Sequence, residues 1–288
     1  MTKPTAIAVF THDQPHETGD GLRRLIAEAG DAGIEVHIAP AEAEKHRLGA
    51  DDGAVLSEDA AGAADLAVVL GGDGTMLRAL RTFAGRPVPV FAFNFGAIGF
   101  LSTVDHGELD GGLVRALSGD FEVLGLPALS VEVDGRRRLA VNDVSFHRRA
   151  DDRVAQLAYA VEQERLGEVR CDGLVASTPV GSTGYNLANG GPVLAWGVEG
   201  YVVSFIAPHT LTARALVAAT DDPLLVTNLS LRDEVDVMTD GRCVGSLAPG
   251  ADLEVRFEHD QALLAQIPGS SFYHRLRQKF GRLAYTGA

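Results

Sequence analysis

The sequence predicts an α/β domain built on a parallel sheet, then a mostly antiparallel all-β domain, and a C-terminal helix that returns to the first domain. Three observations predict it. Short apolar runs alternate with helical periodicities from Ala6 to Leu117. Period-two patterning with Asp-Gly turns takes over from about Pro127 to Ala262. Phe272, Leu276 and Phe280 then share one helical face, ringed by His274, Arg275, Arg277, Lys279 and Arg282, which reads as a docked amphipathic helix, with a basic binding helix as the alternative. The expected boundaries are 1–126, 127–265 and 266–288.

In chain order, Ala6 to Phe10 reads as a strand, and Leu22, Leu25, Ile26 and Ala29 as a helix ending near Gly30 or Gly33. Ile34, Val36 and Ile38 form the next strand. Ala41 to Gly62 lacks a clear period and reads as a surface excursion in which helix is an open alternative. The unbroken run Leu66 to Leu70 suits a parallel strand buried on both faces, and Met76, Leu77, Leu80 and Phe83 resume helical spacing. Val88 to Phe93 is another strand, and Leu109 to Leu117 a short helix. Beyond it, Leu129, Val131 and Val133 alternate before Asp134-Gly135, and Val235 and Val237 before Asp240-Gly241, which predicts hairpins.

Composition narrows the function classes. With 288 residues, 46% hydrophobic and 22% charged, the chain is expected to be a soluble globular protein of two domains or one large one. A formal charge of -14 argues against general affinity for nucleic acid or anionic membranes. No signal-like segment and no apolar run long enough to span a bilayer occurs, so a cytoplasmic protein is expected. Cys171 and Cys243 stand far apart and lack metal-ligand spacing.

The chemistry is concentrated in two stretches. In the first, Gly71-Gly72-Asp73-Gly74-Thr75 lies between a buried strand and a helix start, where free amides favour phosphate oxygens. The three glycines are expected to permit positive φ and close approach. Gly71, Gly72, Gly74, Thr75 and Arg78 are therefore candidates for binding phosphate or ATP. A carboxylate in such a turn would repel phosphate unless it had its own task. That task is to orient an attacking hydroxyl and take its proton late, because a carboxylate is a far weaker base than an alkoxide. Asp73 as a plain helix cap is the alternative. Neither a Walker loop nor a dinucleotide fingerprint fits, since Gly-Lys is absent and Leu77 replaces the third small residue.

The second stretch, Asp172-Gly173 through Gly181-Ser182-Thr183-Gly184-Tyr185-Asn186 to Pro192, is dense in small polar residues, with one flat ring. It reads as a ligand-lining loop, with a structural loop as the alternative.

Together with Asn94 to Leu101, Asn142-Asp143, Pro208 to Arg214 and the tail from Phe272 to Gly281, these motifs resemble the NAD kinase family over most of the chain. Gly-Gly-Asp-Gly alone is shared with lipid kinases and phosphofructokinases. The resemblance implies phosphoryl transfer from ATP to the 2′-hydroxyl of the adenosine ribose of NAD, with a divalent cation such as Mg²⁺. It also implies a homodimer or homotetramer. It makes Asp73 the base or hydroxyl-orienting group, with Gly74 beside it. Asn142, Asp143, Arg153, Arg170, Asp172, Val180 and Arg242 fall at NAD positions, and Thr183, Gly184, Tyr185, Asn186, Leu187 and Ala188 wrap the dinucleotide. Asp143 stands for the usual Glu, Gly184 for a common Ala and Arg242 for a frequent Gln. A nucleotide-binding regulator without turnover and a lipid kinase of the diacylglycerol kinase type are the competing readings. The acidic chain disfavours the lipid kinase.

Overall fold

The computed structural model describes residues 1–96, 99–269 and 271–284. Ala97 and Ile98, part of the Asn94–Leu101 motif, and the side chain of Arg282 lie outside the described residues. The chain forms two compact units, Met1–Gly125 with Ala262–Ala288, and Leu126–Gln261.

The chain begins with β1 (Ala6–Thr11), α1 (Pro15–Asp31), β2 (Glu35–Ile38), α2 (Pro40–His46), β3 (Val55–Leu56), β4 (Leu66–Gly71) and α3 (Asp73–Phe83). These are followed by β5 (Pro89–Asn94), β6 (Val104–Asp105) and α4 (Leu109–Ser118). Next come β7 (Glu122–Val133), β8 (Arg136–Ala140), β9 (Asp143–Arg148), β10 (Ala155–Val161), β11 (Glu164–Cys171), β12 (Gly173–Ser177) and α5 (Tyr185–Ala188). The remainder is β13 (Tyr201–Ile206), β14 (Leu216–Ala218), β15 (Leu224–Asn228), β16 (Val235–Thr239), β17 (Arg242–Leu247), β18 (Asp252–Gln266) and α6 (Phe272–Ala284).

In the first unit the end of β18 joins a parallel sheet in the order β18-β5-β4-β1-β2-β3, with Leu263 and Leu264 opposite Pro89 and Val90. Every residue of β4 and β5 is buried, as parallel strands covered on both faces require. On one face Leu22, Leu25 and Ile26 of α1 and Leu113 of α4 pack against Val68, Leu70, Phe91 and Phe93. In α3, Met76, Ala79, Leu80 and Phe83 are buried, with the Phe83 ring edge-on to Phe10. Thr11 pairs with Leu70 and Gly71 with Asn94, so the carboxyl ends of these strands share one edge with the start of α3. The expected excursion after Ala41 contains α2, whose Glu42, Ala43 and His46 are buried. Seven residues are too few to declare a period, and a buried Glu and His do not register as an apolar pattern.

The second unit contains two sheets. One runs β11-β10-β15-β18, with β7 against β18 and β8 against β7; the other runs β14-β13-β12-β9-β16-β17, antiparallel throughout. Val144, Phe146, Leu174, Ala176, Tyr201, Val203, Val235 and Val237 of the second sheet are buried with Leu129, Leu157, Val226 and Val255 of the first. Strand alternation therefore turns Asp143, Ser145, His147, Val175, Ser177, Asp236 and Met238 to the opposite face. Asp134, Gly135, Asp240 and Gly241 all have positive φ, the conformation that two-residue hairpin turns demand.

Gly241 has φ +74 and open space where a Cβ would stand, whereas a Cβ on Gly173 would strike the Phe146 carbonyl oxygen. Gly241→Ala is accordingly expected to lose about 1 kcal/mol, the cost of left-handed backbone alone. Gly173→Ala, which must also shift a strand, is expected to lose more than about 2 kcal/mol. Urea unfolding of both variants checks the difference.

Candidate active site

Gly72 caps α3 with extended backbone, φ −95 and ψ −172, and as a glycine offers no side-chain cap. The amides of the first turn thus carry the positive end of the helix dipole toward the sheet edge. None of Gly71, Gly72 and Gly74 has positive φ, which corrects the expectation drawn from the sequence. Their smallness serves space instead. A Cβ on Gly71 would lie 2.7 Å from Thr75 Oγ1, while Gly72 and Gly74 leave the helix start uncovered.

Asp73 opens α3 without capping it. Its Oδ2 accepts from the Phe100 amide at 3.0 Å and its Oδ1 from the Leu101 amide at 3.2 Å. The approach requires a glycine before Phe100, since a Cβ on Gly99 would overlap the Asp73 carboxylate. Arg275 of α6 donates to the carbonyls of Phe100 and Ser102, and Lys279 Nζ lies 3.8 Å from Asp73 Oδ2. The carboxylate remains 37% exposed, so it is fixed without being enclosed.

Arg78 is tied down. Its Nη2 donates to Glu42 at 2.6 Å and to the Thr11 carbonyl at 2.9 Å. Glu42 also accepts from Thr11 Oγ1 at 2.5 Å and lies 2.8 Å from Lys45 Nζ. Burial works against its ionisation, but Lys45, Thr11 and Arg78 together hold the carboxyl below its ordinary range. His46 completes the cluster at 2.8 Å from Thr11 Oγ1, and burial lowers its pKa. Sequence reasoning missed Glu42, Lys45 and His46, because their partners are distant in the chain.

In the second unit, the segment after β12 is stitched to the Asn142 turn. Thr178 N donates to Asn142 O, Thr178 Oγ1 to Val141 O, and a Cβ on Gly181 would overlap the Asn142 carbonyl. Asp240 holds the same turn by accepting from the amides of Val141, Asn142 and Asp143 at 3.0, 2.7 and 3.1 Å. Asn142 Oδ1 is buried with no hydrogen-bond partner among the described residues, an acceptor suited to a ligand N–H. Asp143 is buried, and burial, then the charge of Asp240, push its carboxyl up to about 7.

The Tyr185 ring is 36% exposed and lies parallel to the His147 imidazole, centroids 5.6 Å apart. Burial, then Asp143 and Asp172, raise its hydroxyl pKa. Asp172 pairs with Arg148 Nε at 2.6 Å. Asn186 is fully buried and its amide donates to the carbonyls of Ser182 and Pro192, while Thr183 Oγ1 donates to Val180 O. These polar side chains brace the loop, and Val180 is buried beneath it. Gly184 and Ala188 are exposed, Leu187 half-buried, and Arg242 exposed just beyond the Asp240-Gly241 turn. Arg153 and Arg170 line one cleft of about 600 Å³, joined by Arg232, which sequence reasoning missed. His147 was missed as well; the period-two register of β9 with Asp143 was the available signal.

A family model of the ATP-NAD kinase N-terminal domain matches residues 23–121, and one of the C-terminal domain matches residues 141–266. The chain belongs to the NAD kinase family. An NAD kinase of Symbiobacterium thermophilum is 35% identical over 285 residues, 96% of this chain and 98% of its own length. One of Gemmatimonas aurantiaca is 35% identical over 240 residues, 81% of this chain and 82% of its own. Among solved structures, a yeast NADH kinase complexed with NADH superposes with a TM-score of 0.87 at 21% identity, covering 99% of this chain and 89% of its own. An NAD kinase from Archaeoglobus fulgidus in complex with ATP gives 0.72 at 24% identity, covering 98% and 100%. At such identities these two likenesses establish the fold. Family membership makes the protein a kinase, a phosphotransferase acting on NAD.

The raised Asp143 pKa has a consequence for stability. Between its unfolded value of 3.8 and about 7, the folded chain keeps a proton that the unfolded chain has lost. Stability contributed by the neutral acid is therefore complete below pH ~4 and is lost as pH rises through ~7, up to about 4 kcal/mol in all. Asp143→Asn, which cannot ionise, is expected to gain on the parent protein across that window, read from urea unfolding at pH 5 and pH 8.

Proposed function

We propose that the protein transfers the γ-phosphoryl group of ATP to the 2′-hydroxyl of the adenosine ribose of NAD, giving NADP and ADP. The observation that supports it is the Asp73 carboxylate, oriented by two amides yet exposed beside a helix start whose N-cap residue is a glycine. Each oxygen of a carboxylate has two acceptor sites, so one amide per oxygen leaves capacity for the hydroxyl. The ribose oxygen forms a bond to the γ-phosphorus as the bond to the β,γ-bridging oxygen breaks. ADP leaves with that electron pair, and the hydroxyl proton passes late to Asp73. Amides of the Gly71-to-Thr75 turn hold phosphate oxygens, with Arg78 nearby in sequence as a fixed cation.

In the second unit the proposed dinucleotide ligands divide by what they offer. Asn142 Oδ1 and a protonated Asp143 suit donors and acceptors on the nucleoside, and Tyr185 offers an open ring face. Asp172 suits a hydroxyl or amide donor. Arg153, Arg170 and Arg242 suit the anionic pyrophosphate, while Val180 and the segment from Thr183 to Ala188 shape the loop around it. Among the described residues no group of three or more His, Cys, Asp or Glu could hold a metal. A divalent cation such as Mg²⁺ is proposed to come with the ATP substrate, which suits an ion that keeps phosphate and water ligands. Among the described residues no helix is long and apolar enough to cross a membrane. A homodimer or homotetramer in the cytoplasm is the proposed setting.

Incubation with NAD, ATP and Mg²⁺ is expected to yield NADP. Asp73→Asn is expected to lower kcat by about 10²–10⁴ with KM for NAD nearly unchanged. Undiminished NADP formation by that variant removes the role given to Asp73, and absence of turnover by the parent protein favours a nucleotide-binding regulator.

A further inference from the structure

A carboxylate where a triphosphate must approach sets an electrostatic problem, and α6 holds a group suited to resolve it. Lys279 Nζ lies 3.8 Å from Asp73 Oδ2 and 4.4 Å from the centroid of the Phe100 ring. Two contacts thus fix the ammonium, one through charge and one through the ring face. The distance to the carboxylate exceeds that of a hydrogen bond, so neither contact consumes one of its three N–H donors in a direct hydrogen bond. Lys279 and Asp73 are 39% and 37% exposed, and a pair this open adds little to folding. Behind it, Arg275 is buried and donates to the carbonyls of Phe100 and Ser102, seating the helix on the segment whose amides hold Asp73.

We propose that Lys279 is a catalytic cation that takes a phosphoryl oxygen of ATP next to Asp73, with Arg275 positioning the helix that carries it. The inference rests on the phosphoryl-transfer reading above. The ammonium offsets the carboxylate charge as the γ-phosphoryl approaches and donates to its oxygens while charge redistributes in transfer. It exchanges no proton, so the atom balance of the reaction is unaltered. The C-terminal helix, which its apolar face alone would mark as a docking element, is thereby part of the phosphate site.

Lys279→Met keeps the aliphatic stem and removes the charge; Lys279→Arg keeps the charge. With NAD and Mg-ATP varied in turn, the Met variant is expected to lose about 100-fold in kcat, with KM for ATP raised and KM for NAD within about threefold. Its thermal midpoint is expected to match the parent's, and Lys279→Arg to recover most of the kcat. A Met variant with kcat within threefold of the parent, or a loss confined to KM for NAD, overturns the proposal. So does an Arg variant as impaired as Met. Should the Met variant misfold, Lys279→Gln replaces it under the same criteria. Asp73→Asn measured alongside separates the two readings. If Asp73→Asn is inactive and Lys279→Met fully active, only the role of Lys279 fails; if Asp73→Asn is fully active, the reading beneath it fails.

Discussion

The first unit depends on fixing one carboxylate beside a helix start that attracts anions. An unsecured Asp73 would fold back as a cap on its own helix, since aspartates near helix starts accept from first-turn amides. The amides of Phe100 and Leu101 prevent this by outcompeting them. Phe100 is used twice: its N–H donates to Asp73 while its carbonyl accepts from Arg275. Burial lowers the pKa of this guanidinium, and Asp73 and Asp105 make up only part of that cost. The setting of Asp73 is thus assembled from Gly71–Asp73, Gly99–Ser102 and α6, contributed by distant parts of the chain.

The second unit follows the same logic with different parts. Its polar face is organised by the backbone around Asn142, which Asp240, Thr178 and Ser177 all engage. The three amides on Asp240 keep that carboxylate satisfied, and after burial its charge is the second reason why the neighbouring Asp143 keeps a proton up to about pH 7. The result is one turn that presents both a carboxyl of raised pKa and an amide oxygen open to a donor.

The element pattern was legible because burial imposes periods. β4 and β5 are buried on both faces and read as unbroken apolar runs; β16 is buried at every second residue and alternates. The Asp-Gly turns were legible because few other pairs tolerate two successive positive φ values. Helix α2 was not, because its buried face is made of Glu42 and His46, held by polar partners from β1 and α3. The glycines around Asp73 were assigned the wrong physical cause: a sequence shows that a side chain is missing, and only coordinates show whether torsion or space demanded it. Within the loop after β12, the sequence could not separate Asn186, which braces the backbone, from Tyr185, which faces outward.

A chain with net charge -14 that handles polyanions must concentrate its cations, and must also hold them still. Glu42 does this for Arg78 and Lys45. Alone, a buried glutamate between two cations would be a weak source of stability, because desolvation offsets much of the attraction. Its value lies in geometry, since a guanidinium already fixed against Thr11 and Glu42 would lose little further rotamer freedom in the phosphate-binding role proposed for it. The same reasoning applies to Lys279, which the Phe100 ring holds without occupying its donors. Cations held in place in this way are what the proposed phosphoryl transfer calls for in an acidic protein, and the one beside Asp73 is Lys279.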